Sequence, residues 1–278
     1  MRETQGPFQV TIQDISEAMR RLRAPDGPIC IHSSLGSFGS VEGGARAIID
    51  GILAEGCTLL VPTFSYAFQM PPPPHRRPVR NGSDYEWWDR QPLQTVPCYA
   101  LDSLEVDADM GVIPETVLRT PGRIRGEHPL CSFTAIGPLA HRLISGQEPL
   151  DVNAPLKALA EADGLVILMG VGLESMTLIH AAEELAGRNL FRRWASGPDN
   201  MTVEVETGGC SEGFENLRSA LSPLMAEIKV GQSTWLAFPA KRTLETAARA
   251  VREDPWITHC NNAACERCND AVLGGPIL

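Results

Sequence analysis

The chain has 278 residues, 43% of them hydrophobic and 21% charged, with a formal net charge of −10. That is enough chain to bury a real core, in the balance of an ordinary globular protein, and the acidic excess argues against nucleic acid as a partner because phosphate binding needs a basic surface. No apolar run reaches membrane-spanning length, and Met1-Arg-Glu-Thr-Gln5 lacks the layout of a signal peptide, so no membrane partner and a cytoplasmic address are expected.

Ile12, Ile15, Met19 and Leu22 share one face of a helix predicted over 11–22. Pro28-Ile-Cys-Ile-His32 reads as a short strand. A glycine-rich turn, a helix over 45–54 and a strand over 57–61 follow. This strand–loop–helix–strand unit is the signature of an α/β protein with a mostly parallel central sheet flanked by helices. Residues 70–90 break the pattern: Pro71 to Pro74 favour extended polyproline backbone, and His75-Arg-Arg-Pro-Val-Arg80 and Trp87-Trp88 prolong an irregular excursion. Helices are predicted over 110–119, 138–144 and 155–162, and a strand over 131–136. The apolar run Leu165-Val-Ile-Leu-Met169 reads as a buried strand ending at Gly170 and Gly172. The helix after it starts near Ser175 or Thr177 and stops at Gly187. Strands over 201–205 and 233–238 and helices over 214–228 and 241–252 complete the series. No repeat or linker divides the chain, so a single domain over 1–278 is expected.

Four segments carry chemistry. In the first, His180 lies early on a helix that follows a buried strand, where ligands bind open α/β sheets; Glu183 and Glu184 share its face and are positioned to orient it. In the second, Ser33, Ser34 and Leu35 with Gly43 and Gly44 set hydroxyls and bare amides between a strand and a helix, an arrangement suited to phosphate or to a tight structural turn. Arg125, His128, Ser132 and Phe133 gather before a strand, as an anion site or as a loop whose His128 bonds backbone. Cys131 beside them invites a thiol-nucleophile reading, working with His128 or His180, but its apolar neighbours predict burial and an inert thiol. In the last, His259, Cys265 and Cys268 have metal-ligand spacing. Cys210 is a fourth ligand for a structural zinc, and Cys260 is an alternative third or fourth.

Taken in order, these segments resemble the aminoglycoside 3-N-acetyltransferase family. The resemblance rests on Ile31-His-Ser-Ser-Leu35 with Val41-Glu-Gly-Gly44, then Thr58-Leu-Leu-Val-Pro-Thr-Phe64. It continues with Arg125-Gly-Glu-His-Pro129, Ser132-Phe133 to Gly137-Pro138, Leu168-Met-Gly170 and Thr177 to Glu183. The tail from His259 to Ala271 is similar to the type IV, apramycin-acting subgroup.

The resemblance implies the family's own α/β fold, distinct from the GNAT acetyltransferase fold. It also implies general-base-assisted direct transfer of acetyl from acetyl-CoA to an aminoglycoside amine at the 3-N position, and with it antibiotic resistance. His180 would be the catalytic base and Glu206 its paired acid. Ser33, Ser34, Leu35, Gly43, Gly44, Arg125, His128, Ser132 and Phe133 would hold the cofactor, with backbone amides of the 33–35 loop facing the oxyanion. The chain departs from the pattern after Pro62, where basic Arg76, Arg77 and Arg80 stand against a polycation and leave an amine of another secondary metabolite as the alternative acceptor. Monomer and homodimer are both compatible with the sequence.

Overall fold

The computed structural model describes residues 9–24, 27–92, 95–198 and 201–278. A seven-stranded sheet runs in the order Ala226–Val230, Ser233–Pro239, Leu165–Met169, Pro28–Ser33, Thr58–Pro62, Phe133–Ile136 and Ile124–Arg125. Leu165–Met169, Pro28–Ser33 and Thr58–Pro62 are parallel neighbours at its centre, and the strands on either side pair antiparallel. The α/β class follows the sequence pattern, with the parallel character confined to the three apolar central strands.

Alternation along Pro28–Ser33 sends successive side chains to opposite faces. Ile29 and Ile31 join Ile15, Met19, Ile48 and Trp235 under the helices Ile12–Arg21 and Gly44–Leu53. Cys30 faces the other way, into a core with Leu156, Leu168, Ile179 and Phe238 beneath Ala154–Glu161, Leu178–Leu185 and Ala240–Glu253. The first helix begins with a capping box, Thr11 and Asp14 satisfying each other's backbone amides.

A second, three-stranded sheet orders Thr202–Thr207, Phe191–Ser196 and Gln69–Met70, all antiparallel. It ties the start of the proline-rich excursion to the segment after the His180 helix. The strand Phe191–Ser196 was not expected, because its alternation is interrupted by the consecutive Arg192 and Arg193. The helix predicted over 214–228 is absent: short helical turns run from Phe214 to Leu224, and Ala226–Val230 is an edge strand. Pro223 breaks the helical hydrogen-bond series there. Among the described residues, no helix is long and apolar enough to cross a membrane.

Candidate active site

The parallel strands all end at one cleft of about 350 Å³, lined among others by Ser33, Pro62, Val171 and His180. Openings at the carboxyl ends of such strands are where open α/β sheets bind ligands. The charged side chains on its wall are Asp109 and Glu174, and among the described residues no lysine or arginine lines it.

His180 occupies the first turn of Leu178–Leu185 and is nearly covered, its side chain 13% exposed. Its Nδ1 lies 2.9 Å from Glu183 Oε2, one helical turn on. The Glu183 carboxylate is buried, with Oε1 contacted by the Arg188 guanidinium and by the Thr258 hydroxyl at 2.7 Å. An ionised carboxylate accepts from Nδ1–H, so the neutral ring carries its free lone pair on Nε2. Phe214 packs edge-on to the imidazole at 4.8 Å between centroids. The backbone of Gly208 covers the ring so closely that a Cβ there would lie 2.5 Å from His180 Cδ2.

The other acids divide differently from the expectation. Glu184 turns to Asn153 and Lys157. Glu206, the partner implied by the resemblance, does not hold His180: its carboxylate lies 2.8 Å from Arg192. Burial pushes the Glu206 carboxyl above its usual range, with Arg192 opposing. On a strand it cannot match the i, i+3 reach that Glu183 has on the histidine's own helix.

The cofactor candidates also separate. Ser33 lines the cleft, and its hydroxyl is buried without a hydrogen-bond partner in the protein. The Ser34 amide donates to the Met169 carbonyl at 3.0 Å and is therefore not a free oxyanion donor. Leu35 opens a short 3-10 turn and packs against the core. Gly43 and Gly44 start the next helix, and Gly43 lines a separate depression beside Glu42 and Asp50, away from the cleft.

Arg125, His128, Ser132 and Phe133 are interior residues. The Arg125 guanidinium donates to Ser132 Oγ and to the carbonyls of Thr63, Ser103 and Glu105, pinning the loop before the helix Val112–Leu118. Phe133 packs edge-on to Phe64. His128 Nε2–H donates to the Glu206 carbonyl and its Nδ1 accepts from the Cys131 amide, fixing one neutral tautomer; burial lowers its pKa to about 4. The Cys131 thiol does line the cleft, 4.0 Å from the Tyr66 hydroxyl. Burial pushes it up to about 12, so it is protonated and a poor nucleophile at neutral pH.

Sequence reasoning missed several cleft residues. His32 is buried at the end of its strand, and desolvation lowers its pKa to about 4, keeping it neutral. Asn153, Tyr66, Asp109 and Glu174 reach the wall from loops or short turns. Gly208-Gly209, directly after a strand, was the available signal for the close approach to His180. The basic stretch expected to oppose a polycation lies elsewhere. Arg76 pairs with Glu204 and Arg77 with Asp89, and Arg77 and Arg80 line a different depression with Asp270.

The sulfurs of Cys210, Cys260, Cys265 and Cys268 all lie within 4.8 Å of one another. His259 is outside this group: Nε2 faces Asn269 Oδ1 and Nδ1 accepts from the Asn261 amide. The sequence set of Cys210, His259, Cys265 and Cys268 is thereby corrected, with Cys260 in place of the histidine.

The family model described as aminoglycoside 3-N-acetyltransferase matches residues 30–252. Aminoglycoside N(3)-acetyltransferase IX of Micromonospora chalcea is 35% identical over 193 residues, covering 65% of this chain and 63% of the relative. The chain thus spans somewhat under two thirds of that relative. Aminoglycoside N(3)-acetyltransferase IV of Salmonella sp is 31% identical over 246 residues, covering 84% of both. The crystal structure of aminoglycoside acetyltransferase AAC(3)-IVa, apoenzyme, superimposes with a TM-score of 0.74 at 27% identity, over 98% of this chain and 99% of that one. A histidine-to-alanine variant of that enzyme in complex with a gentamicin gives 0.72 at 26% identity, over 98% and 100%. A fold shared over nearly the whole length and a family match across the sheet and the His180 helix agree, and the chain belongs to the aminoglycoside 3-N-acetyltransferase family.

Proposed function

We propose that the protein transfers acetyl from acetyl-CoA to an amine of an aminoglycoside at the 3-N position, in the cytoplasm, and so confers resistance to the antibiotic. The observation that carries this reading is His180, oriented by Glu183, in a cleft whose other charged side chains are carboxylates. A protonated amine cannot attack a thioester, and the nitrogen of the free amine must shed a further proton as the C–N bond forms, which an imidazole base with one nitrogen anchored is suited to take. Asp109 and Glu174 favour binding of a cationic acceptor.

In the proposed reaction the acceptor reacts as the free amine, its ammonium proton having gone to solvent, and His180 Nε2 removes a proton from that amine as nitrogen attacks the thioester carbonyl. The C–N bond forms and negative charge gathers on oxygen, where the unpartnered Ser33 hydroxyl at the strand end is an available donor. The C–S bond then breaks, and the imidazolium returns its proton to the leaving thiolate. No acyl-enzyme is formed, consistent with the protonated Cys131 thiol.

The four thiols fit a structural zinc. Tetrahedral Zn–S bonds of about 2.3 Å set sulfurs about 3.8 Å apart, inside the observed spread. Cys210, Cys260, Cys265 and Cys268 would hold the ion, which would cross-link the chain after the second sheet to the C-terminal helix Glu266–Val272.

The test is acetyl-CoA consumption against apramycin, gentamicin and simple monoamines. Turnover with at least one aminoglycoside is expected, and His180→Ala should lower kcat by ~100-fold or more, the range of a general base. Near-wild-type turnover by that variant would refute the mechanism, and turnover with monoamines alone would refute the substrate.

A further inference from the structure

The buried groups around Glu183 exceed what a two-residue dyad needs. Helix Leu178–Leu185 ends in a Schellman turn: Gly187, at φ +104°, bonds to the Glu184 carbonyl and Arg188 to the Glu183 carbonyl. That reversal folds Arg188 back beneath the helix it has just left. Its guanidinium, 8% exposed, contacts Glu183 Oε1, reaches Thr258 Oγ1 at 2.7 Å and donates to the Pro255 carbonyl. Thr258, 3% exposed, donates its hydroxyl to the same Glu183 oxygen at 2.7 Å. The two Glu183 oxygens are therefore divided: Oε2 serves His180, and Oε1 is held by a cation and a hydroxyl from outside the helix.

On the reading of His180 as the base, we infer that Arg188 and Thr258 are positioning residues of the transfer reaction. Arg188 supplies the counter-charge for the Glu183 carboxylate in a largely buried site, where a lone buried charge is costly. Thr258 fixes the rotation of the carboxylate, so that Oε2 stays in line with Nδ1–H and the lone pair on Nε2 stays aimed at the amine. The segment that supplies Thr258 follows the helix Ala240–Glu253, so the base of a cleft formed by the central strands is oriented from the far C-terminal region. Neither residue lines the cleft.

The experiment compares Thr258→Val, which keeps shape and removes the donor, with Thr258→Ser, which keeps the donor. Each is made in the wild-type and His180→Ala backgrounds. Loss of a buried charge-assisted hydrogen bond predicts a ~10-fold fall in kcat for Thr258→Val, with KM for acetyl-CoA unchanged and Thr258→Ser near wild type. In the His180→Ala background Thr258→Val should have no further effect, since there is no imidazole left to orient. A wild-type kcat for Thr258→Val, or an equal loss in both backgrounds, would overturn the inference while leaving the role of His180 intact. Should His180→Ala retain turnover, the fault lies instead with the base assignment. A second readout needs no substrate: the His180 Nδ1–H proton resonance, identified by its absence in His180→Ala, should persist in Thr258→Ser and be lost to exchange in Thr258→Val. Its persistence in Thr258→Val would equally overturn the inference.

Discussion

A Cβ on Gly208 would sit 2.5 Å from His180 Cδ2 and 2.8 Å from Nε2, inside any tolerable contact. The backbone there lies outside the left-handed region, so alanine is compatible with the chain and only the imidazole is in its way. The ring cannot yield sideways, because Phe214 closes one edge and Glu183 holds Nδ1. Gly208→Ala is accordingly expected to displace the proposed base and lower kcat by ~100-fold, the cost of misplacing a catalytic group by about 1 Å. Its melting temperature should stay close to wild type, and steady-state kinetics with thermal melting check both halves. A Gly208→Ala enzyme of full activity would mean that the ring is free to tilt without consequence. The same scale shows what sequence spacing can and cannot resolve. HxxE named His180 and Glu183 as neighbours because both lie on one helix. Glu206 entered through family resemblance, and its Arg192 partner comes from the strand beside it, which no local pattern reveals. His128 and Arg125 looked like site residues because polar clusters look alike whether they face a ligand or satisfy buried backbone.

At the scale of elements, the apolar strands 28–33, 58–62 and 165–169 and the amphipathic helices were legible because burial on one or both faces leaves a period in the sequence. Phe191–Ser196 and Ala226–Val230 were not: the first carries two arginines, and the second is an exposed edge strand that reads as the end of a helix. The carboxyl-end site was legible from the buried strand that runs into the His180 helix, whereas the loop residues that line the cleft come from distant parts of the chain. The thiol cluster was legible from CxxC spacing except for the exchange of His259 for Cys260, adjacent residues that spacing cannot tell apart. Thr258 lies two residues before Cys260, so an ion in the cluster would brace the segment that holds Glu183. Zinc removal is therefore expected to act at two levels. A chelator strong enough to strip the purified protein should lower its melting temperature, because structural zinc contributes directly to folding free energy. At temperatures where the fold persists, kcat should fall with little change in KM for acetyl-CoA. Cys268→Ser should reproduce both effects and reduce bound zinc measured by elemental analysis. Full activity and unchanged melting in metal-free protein would remove zinc from the account.

On the proposed function, the charge of the whole molecule would set opposite conditions for the two cosubstrates. The chain carries −10 overall, and the wall of the cleft contributes Asp109 and Glu174 without a lysine or arginine among its described lining residues. The arginines of the proline-rich excursion, which the sequence alone sets against a cationic acceptor, are largely paired with carboxylates or face another depression. A polycationic acceptor is drawn toward such a surface, and the attraction is screened as the Debye length falls from ~10 Å at 0.1 M salt to ~3 Å at 1 M. Raising ionic strength should therefore depress kcat/KM for an aminoglycoside several-fold and barely alter it for a monoamine acceptor. The anionic acetyl-CoA should respond in the opposite sense, its KM falling or holding steady as repulsion is screened. Glu174→Gln separates local from global charge: it should raise KM for the aminoglycoside and flatten its salt dependence, leaving KM for acetyl-CoA unchanged. If the aminoglycoside and the monoamine respond identically to salt, and Glu174→Gln alters neither, the acidic wall is not where the acceptor binds and the amine must approach His180 from another side.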